Sequence, residues 1–277
     1  MSVLLLLAAA LASPVGDAPG AMTVPVSALD YGRLIDDAID GGRMIQAEAM
    51  LSQWRADAQP HDGAAMEIAL ARMALARRQD AEAAARFAAI SQAGSTDCRV
   101  DEGLGIAHMR LGRAEQAAQA LRRAVERCAE RWRAWSALGV AYDAAKNWAL
   151  SAAAYEKAFQ LTDKPVQILN NYGLSLMAQG QAEKAAAIFA RAQEMTPDDP
   201  RIIANGDAAQ VMAGRDIERR PADDANGWAK RLGDAGKVAL NIGDTVKARA
   251  YLSRAVTVSE SYQADAAAAL AGMGGKP

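Results

Sequence analysis

Small and apolar residues recur along this chain with a period of 34 positions, marked by Gly105, Gly139 and Gly173. Each glycine sits in a similar frame. With Cys98, Trp132 and Val166 as first positions, the seventh is Leu104, Leu138 and Tyr172, and the twentieth is Ala117, Ser151 and Ala185. The twenty-fourth is Leu121, Tyr155 and Phe189, and the twenty-seventh Ala124, Ala158 and Ala192. The spacing predicts two helices per unit, over roughly positions 2–14 and 15–28. Glycine or alanine at positions eight and twenty lets the two axes approach, because a larger side chain would hold them apart. The bulky residue at twenty-four and the small one at twenty-seven fit the contact with the next unit. Gly112 and Gly180 mark the turn between helices, where a left-handed backbone costs glycine little. Asp97 reads as a helix N-cap before Cys98, with Asp101 and Glu102 in the favourable first turn.

The register extends in both directions. Residues 64–97 fit it through Leu70, Ala71, Ala83, Phe87 and Ile90, alongside the units 98–131, 132–165 and 166–199. Residues 28–63 form a looser unit with two extra positions, keeping Leu34, Ala47 and Leu51 and turning at Gly41 and Gly42. Residues 200–213 read as a first helix whose partner is missing. The stretch 214–227, with Arg219, Arg220, Pro221, Asp223 and Asp224, is too polar and broken to supply it and reads as an irregular linker. The frame returns with Gly236, Gly243, Ala248, Leu252 and Ala255, so 228–274 is expected to hold a last repeat and a capping helix from about Gln263 to Met273. A 34-residue period with this pattern of small positions resembles the tetratricopeptide repeat (TPR). The fold class expected is all-α: a right-handed α-solenoid of antiparallel helix pairs, with a concave face suited to binding proteins.

Composition agrees with helices packed through alanine and leucine: 51% of the 277 residues are hydrophobic and only 5% aromatic. No alternating β-branched run reads as a strand. A net charge of −2 argues against nucleic acid as the main partner, which would need a basic field. The N-terminus stands apart. Residues 3–12 are an unbroken run of leucine, alanine and valine, followed by Ser13 and Pro14. With Ala10-Leu11-Ala12 as a small-x-small site, residues 1–12 read as a secretory signal peptide, cut near residue 12 or slightly later. No Lys or Arg precedes the run. The competing reading, an apolar first helix of the stack, is opposed by Pro14, Gly16, Pro19, Gly20 and Pro25. Residues 13–27 are then a flexible segment. No stretch after residue 20 is apolar for long enough to span a bilayer, and no cysteine follows the run to carry a lipid. A soluble bacterial protein, periplasmic or secreted once the signal peptide is removed, is expected.

Cys98 and Cys128 are the only cysteines and fall at positions one and thirty-one of one repeat. In an antiparallel hairpin the start of the first helix lies beside the end of the second. Two outcomes follow: a disulfide clasping the hairpin, natural in an oxidising compartment, or two unpaired thiols. A metal site is not expected, since His61 and His108 belong to different repeats and no Cys-x-x-Cys pair exists.

Positions two, five, six, nine, twelve and thirteen of each first helix should face the groove. They include Arg99, Glu102, Met109 and Arg110, then Arg133, Ser136 and Asp143. Further along come Gln167, Asn170, Asn171 and Met177, then Arg201 and Asn205. Asn171 and Asn205 both fall at position six. Stacked amides offer donors and acceptors that hold a peptide backbone without reading its side chains. Arg99, Arg133 and Arg201, at position two, could attract acidic groups or a terminal carboxylate. The competing reading is an ordinary solvated repeat face. No nucleophile elbow, phosphate-binding loop or zinc-protease motif occurs, so neither catalysis nor a cofactor is called for.

The passage from Leu169 to Leu176, then Gln179-Gly180-Gln181 and Thr196-Pro197-Asp198-Asp199-Pro200-Arg201, is similar to the TadD family, the TPR component of Flp/Tad pilus assembly and secretion. The resemblance implies a periplasmic or outer-membrane-associated accessory factor that helps pilus or secretin machinery assemble. This chain lacks the lipidated N-terminal cysteine that many such proteins carry. A scaffold in outer-membrane or cell-wall assembly, and a regulatory repeat subunit of an enzyme, are the other readings. Oligomeric state is not legible.

Overall fold

The computed structural model describes residues 30–57, 62–261 and 263–273; the signal peptide and flexible segment expected over 1–27 lie outside them. The described residues form fourteen α-helices and no strand. They divide into two compact units, α1 and α2 in the first and α3 to α14 in the second.

In the first unit α1 (Tyr31–Asp40) and α2 (Met44–Asp57) close as a hairpin around Ile35, Ala38, Ala47 and Leu51. Tyr31 stacks on Trp54 with ring centroids 5.9 Å apart and donates its hydroxyl to Asp57 at 2.8 Å.

In the second unit the helices come in pairs: α3 (Gly63–Ala76) with α4 (Asp80–Gln92), α5 (Cys98–Arg110) with α6 (Ala114–Arg127), and α7 (Trp132–Ala144) with α8 (Trp148–Gln160). Next is α9 (Val166–Ala178) with α10 (Ala182–Met195). The sequence period is thus a structural period, since α5, α7 and α9 start on the three residues taken as first positions. Position fifteen is left-handed in every unit. Gly42, Gly112, Gly180, Gly214 and Gly243 supply it, and Arg78 and Lys146 adopt it at φ 63° and 57°.

At position eight the reason for glycine is close approach. A Cβ on Gly139 would stand 2.7 Å from Tyr155, and one on Gly236 the same distance from Leu252. Each second helix also packs on the next first helix, and successive first helices α3, α5, α7, α9 and α11 touch one another. Second helices of successive pairs make no such contact among the described residues. A row closed on one side and splayed on the other must curve, which puts the first helices on its inner wall.

The pairing breaks after α11 (Pro200–Met212), which has no second helix. Residues 215–224 instead run as a non-helical strap. Ile217 anchors the strap in a core with Val211, Trp228, Leu232 and Leu252. Tyr251 fastens it further, accepting from the Ile217 N–H and donating to Asp216 at 2.9 Å. Burial, reinforced by that bond to Asp216, pushes the Tyr251 hydroxyl up to about 12. The helix α12 (Ala225–Asn241) starts before the expected 228 because Asp224 caps it, accepting from the Gly227 N–H at 2.6 Å. It pairs with α13 (Thr245–Val258), and α14 (Ala264–Gly272) closes the row.

Candidate protein-binding groove

Antiparallel pairing of α5 and α6 sets the first residue of one helix beside the C-cap of the other. Cys98 and Cys128 lie 6.1 Å apart at Cα and form a disulfide. Beneath it the first turn of α5 is buried. Asp101, with no exposed surface, pairs with Arg123 at 2.8 Å and Arg127 at 2.6 Å. Glu102, expected in the groove, is also buried and is held by Arg131 at the base of the clasp. A charge this deep persists only when paired, so Glu102 closes the hairpin and does not face a ligand.

The position-two arginines are drawn to their own helix caps. Asp97 and Asp199 each accept from the backbone N–H two residues on, at 2.9 Å, and each also holds that residue's guanidinium. Burial works to raise Asp97, but the hydrogen bonds from Arg99 win and hold its carboxyl below the usual range. The side-chain bond from Arg201 lowers Asp199 in the same way. Arg201 nonetheless leaves 81% of its side chain exposed. Arg133 is exposed and lies over the Trp132 ring at 4.9 Å. Arg110 bonds the Leu75 carbonyl at 2.7 Å and Asp80 at 3.1 Å, tying α5 back to the preceding pair.

Asp143 is a junction. It accepts from Ser151, from Tyr155 at 2.7 Å and from Ser175 at 2.7 Å, so one carboxylate joins α7, α8 and α9. Burial, with the adjacent carboxylate second, drives the Tyr155 hydroxyl far above its ordinary value. Asp143 was expected to face a ligand; its hydrogen bonds run inside the repeat stack.

The asparagines do come together. Asn171 donates to Ser136 on α7 at 3.3 Å, Asn170 donates to Asn171 at 3.4 Å, and Asn205 donates to Asn170 at 2.8 Å. Position five of one repeat therefore meets position six of the next, and a row of polar groups, Ser136 buried and the asparagines half-buried, crosses α7, α9 and α11. Beside it runs a second row at position nine: Ile106, Val140, Leu174 and Ala208, with Leu174 41% exposed. Position nine was among those expected in the groove, and the 34-residue spacing of these apolar residues is the sequence signal for the row.

Among the described residues no three His, Cys, Asp or Glu side chains gather to hold a metal ion, and no helix is long and apolar enough to cross a membrane.

The geometry has counterparts. A tetratricopeptide-repeat family model matches residues 103–165 and 160–200. A tetratricopeptide repeat protein from Parabacteroides merdae superposes with a TM-score of 0.53 at 16% identity, over 88% of this chain and 99% of that one. PilW, a widely conserved type IV pilus biogenesis factor, gives 0.54 at 13% identity, over 87% and 96%. NprR in complex with its cognate peptide NprX gives 0.54 at 11% identity, over 88% and 81%. No curated protein matches the sequence. Tetratricopeptide repeats thus run through residues 103–200, and the helical fold is that of tetratricopeptide-repeat solenoids.

Proposed function

We propose that this protein is a non-catalytic adaptor of the bacterial envelope that receives an extended protein segment along α5, α7, α9 and α11, in the service of pilus assembly or secretion. The observation that carries the reading is the row from Ser136 through Asn171 and Asn170 to Asn205. Each amide there is half-buried and offers two N–H donors and a twice-accepting oxygen, more than its neighbours use. A peptide backbone, with alternating N–H and C=O groups, is the complementary partner. The neighbouring apolar row at position nine gives that partner a surface to bury. NprR, whose fold is alike, is seen with a peptide, and PilW is a pilus biogenesis factor. The Cys98–Cys128 disulfide and the leader-like residues 3–12 favour an oxidising, extracytoplasmic compartment.

A photo-crosslinking residue placed at Leu174 in living cells tests this. Envelope proteins of a pilus or secretion system should be captured, and Asn171→Ala with Asn205→Ala should abolish their capture while leaving the melting transition in place. An unchanged set of captured proteins in the double variant, or a set made of cytoplasmic proteins, overturns the proposal.

A further inference from the structure

We infer that the gap left by the missing second helix after α11 is an anchor site for one large apolar side chain of the bound segment. The inference rests on the groove reading above and adds to it where the segment is pinned. In the glycine-bearing repeats a bulky position twenty-four from the second helix closes over position eight, as Tyr155 does over Gly139. The unit starting at Pro200 has no such helix, and its position eight is Asp207. Arg231 reaches across from α12 and binds Asp207 at 2.7 Å and Asp223, on the strap, at 2.5 Å. This triad lines a space that no second helix fills.

That space is a cavity of about 240 Å³. Its walls are apolar, with Ile203 and Ala208 from α11 facing Ala235 and Val238 from α12. The ionic groups around it are paired: Asp207 and Asp223 with Arg231, Arg220 on the strap with Asp198 at 3.1 Å, and Lys230 with Asp234 at 2.9 Å. A balanced site does not select a phosphate or a carboxylate. The volume is also below the roughly 300–1,000 Å³ of small-molecule pockets. What fits is a single aromatic or branched aliphatic side chain, the kind that dominates binding energy when it fills a desolvated pocket. The cavity is also placed for such use. Asn205 ends the amide row on α11, and Ala208, one of the walls, is the last member of the position-nine row. A segment laid on the amides along α7 and α9 therefore delivers its next side chain to this opening.

A library of random twelve-residue peptides displayed on phage, sorted against the full-length oxidised protein, tests the anchor. The enriched peptides should share one Trp, Phe, Tyr or Leu. Ala208→Phe, which fills the cavity from inside, and Ala204→Trp, which blocks it from an exposed position, should each weaken them at least about tenfold with unchanged helicity. Asn170→Ala with Asn171→Ala should weaken every peptide alike. Peptides that need the asparagines but ignore both filling variants, or that share no large apolar residue, overturn the anchor and leave the groove standing. A library from which nothing is enriched overturns both.

Discussion

Gly173 and Phe189 meet so closely that a Cβ on the glycine would stand 2.5 Å from the ring Cζ. The same contact joins α9 to α10 as joins α5 to α6, α7 to α8 and α12 to α13, so it sets the distance between helix axes. Gly173→Ala should destabilise by about 1–3 kcal/mol, because a tightly packed interior resists even one methyl group. Adding Phe189→Leu should return part of the loss. Melting curves of the single and double variants read both effects, and a Gly173→Ala protein as stable as the parent would refute the contact's role.

The disulfide closes a loop between residues separated by 30 positions. Replacing both cysteines by serine should cost about 3–4 kcal/mol in chemical denaturation, mainly by freeing the unfolded chain. The denatured, non-reduced parent should show no reactive thiol; two would contradict the bridge.

Arg231 has 14% of its side chain exposed, between Asp207 at 16% and Asp223 at 9%. Arg231→Ala strands two carboxylates and should cost about 3–5 kcal/mol. Arg231→Met with Asp207→Gly and Asp223→Asn should recover most of it, since no uncompensated charge is left. A single variant costing no more than a surface change would show that the triad does not hold α11 to α12.

His108 should make the fold sensitive to acid. Its Nδ1 is buried with no hydrogen-bond partner, and burial first, then Arg113 and Arg123, lower its affinity for a proton. The unfolded chain takes up that proton near pH 6.5 and the folded chain only below it. The stability is therefore present above about pH 6.5 and is lost as pH falls through that value. Relative to His108→Gln, the parent should lose melting temperature between about pH 7.5 and 5.5. Parallel curves for the two proteins would refute this.

Much of the architecture was legible because packing imposes it at fixed spacing. Position twenty-four was expected to fit the next unit, as Tyr155 does on Tyr172; that it also closes over the glycine at eight of its own unit, Tyr155 on Gly139, is what the structure adds. The groove was less legible. Position two promised free arginines, but an aspartate two residues earlier at Asp97 and Asp199 binds the side chain that follows. The Asp-x-Arg spacing was the available signal. Burial of Asp101 and Glu102 depends on Arg123 and Arg127 from the second helix and on Arg131 at the start of α7, a pairing that position within a first turn does not reveal. Gly103 lies against Phe87, the position-twenty-four residue of the preceding repeat, which is the contact with the next unit expected of that position. Asp207, at a position that is alanine or glycine in the repeats from residue 64 onward, was the clearest sequence mark that the array changes character at α11.

The clasp between Cys98 and Cys128 has a kinetic consequence. Linear arrays come apart by fraying from their ends, each unit loosening once its neighbour has gone. A covalently closed unit gains less chain freedom by opening when that front arrives. Unzipping that starts at α14 should therefore slow at α6 while the bridge is intact, which makes α5 and α6 a brake on disassembly in an oxidising compartment and a release point in a reducing one.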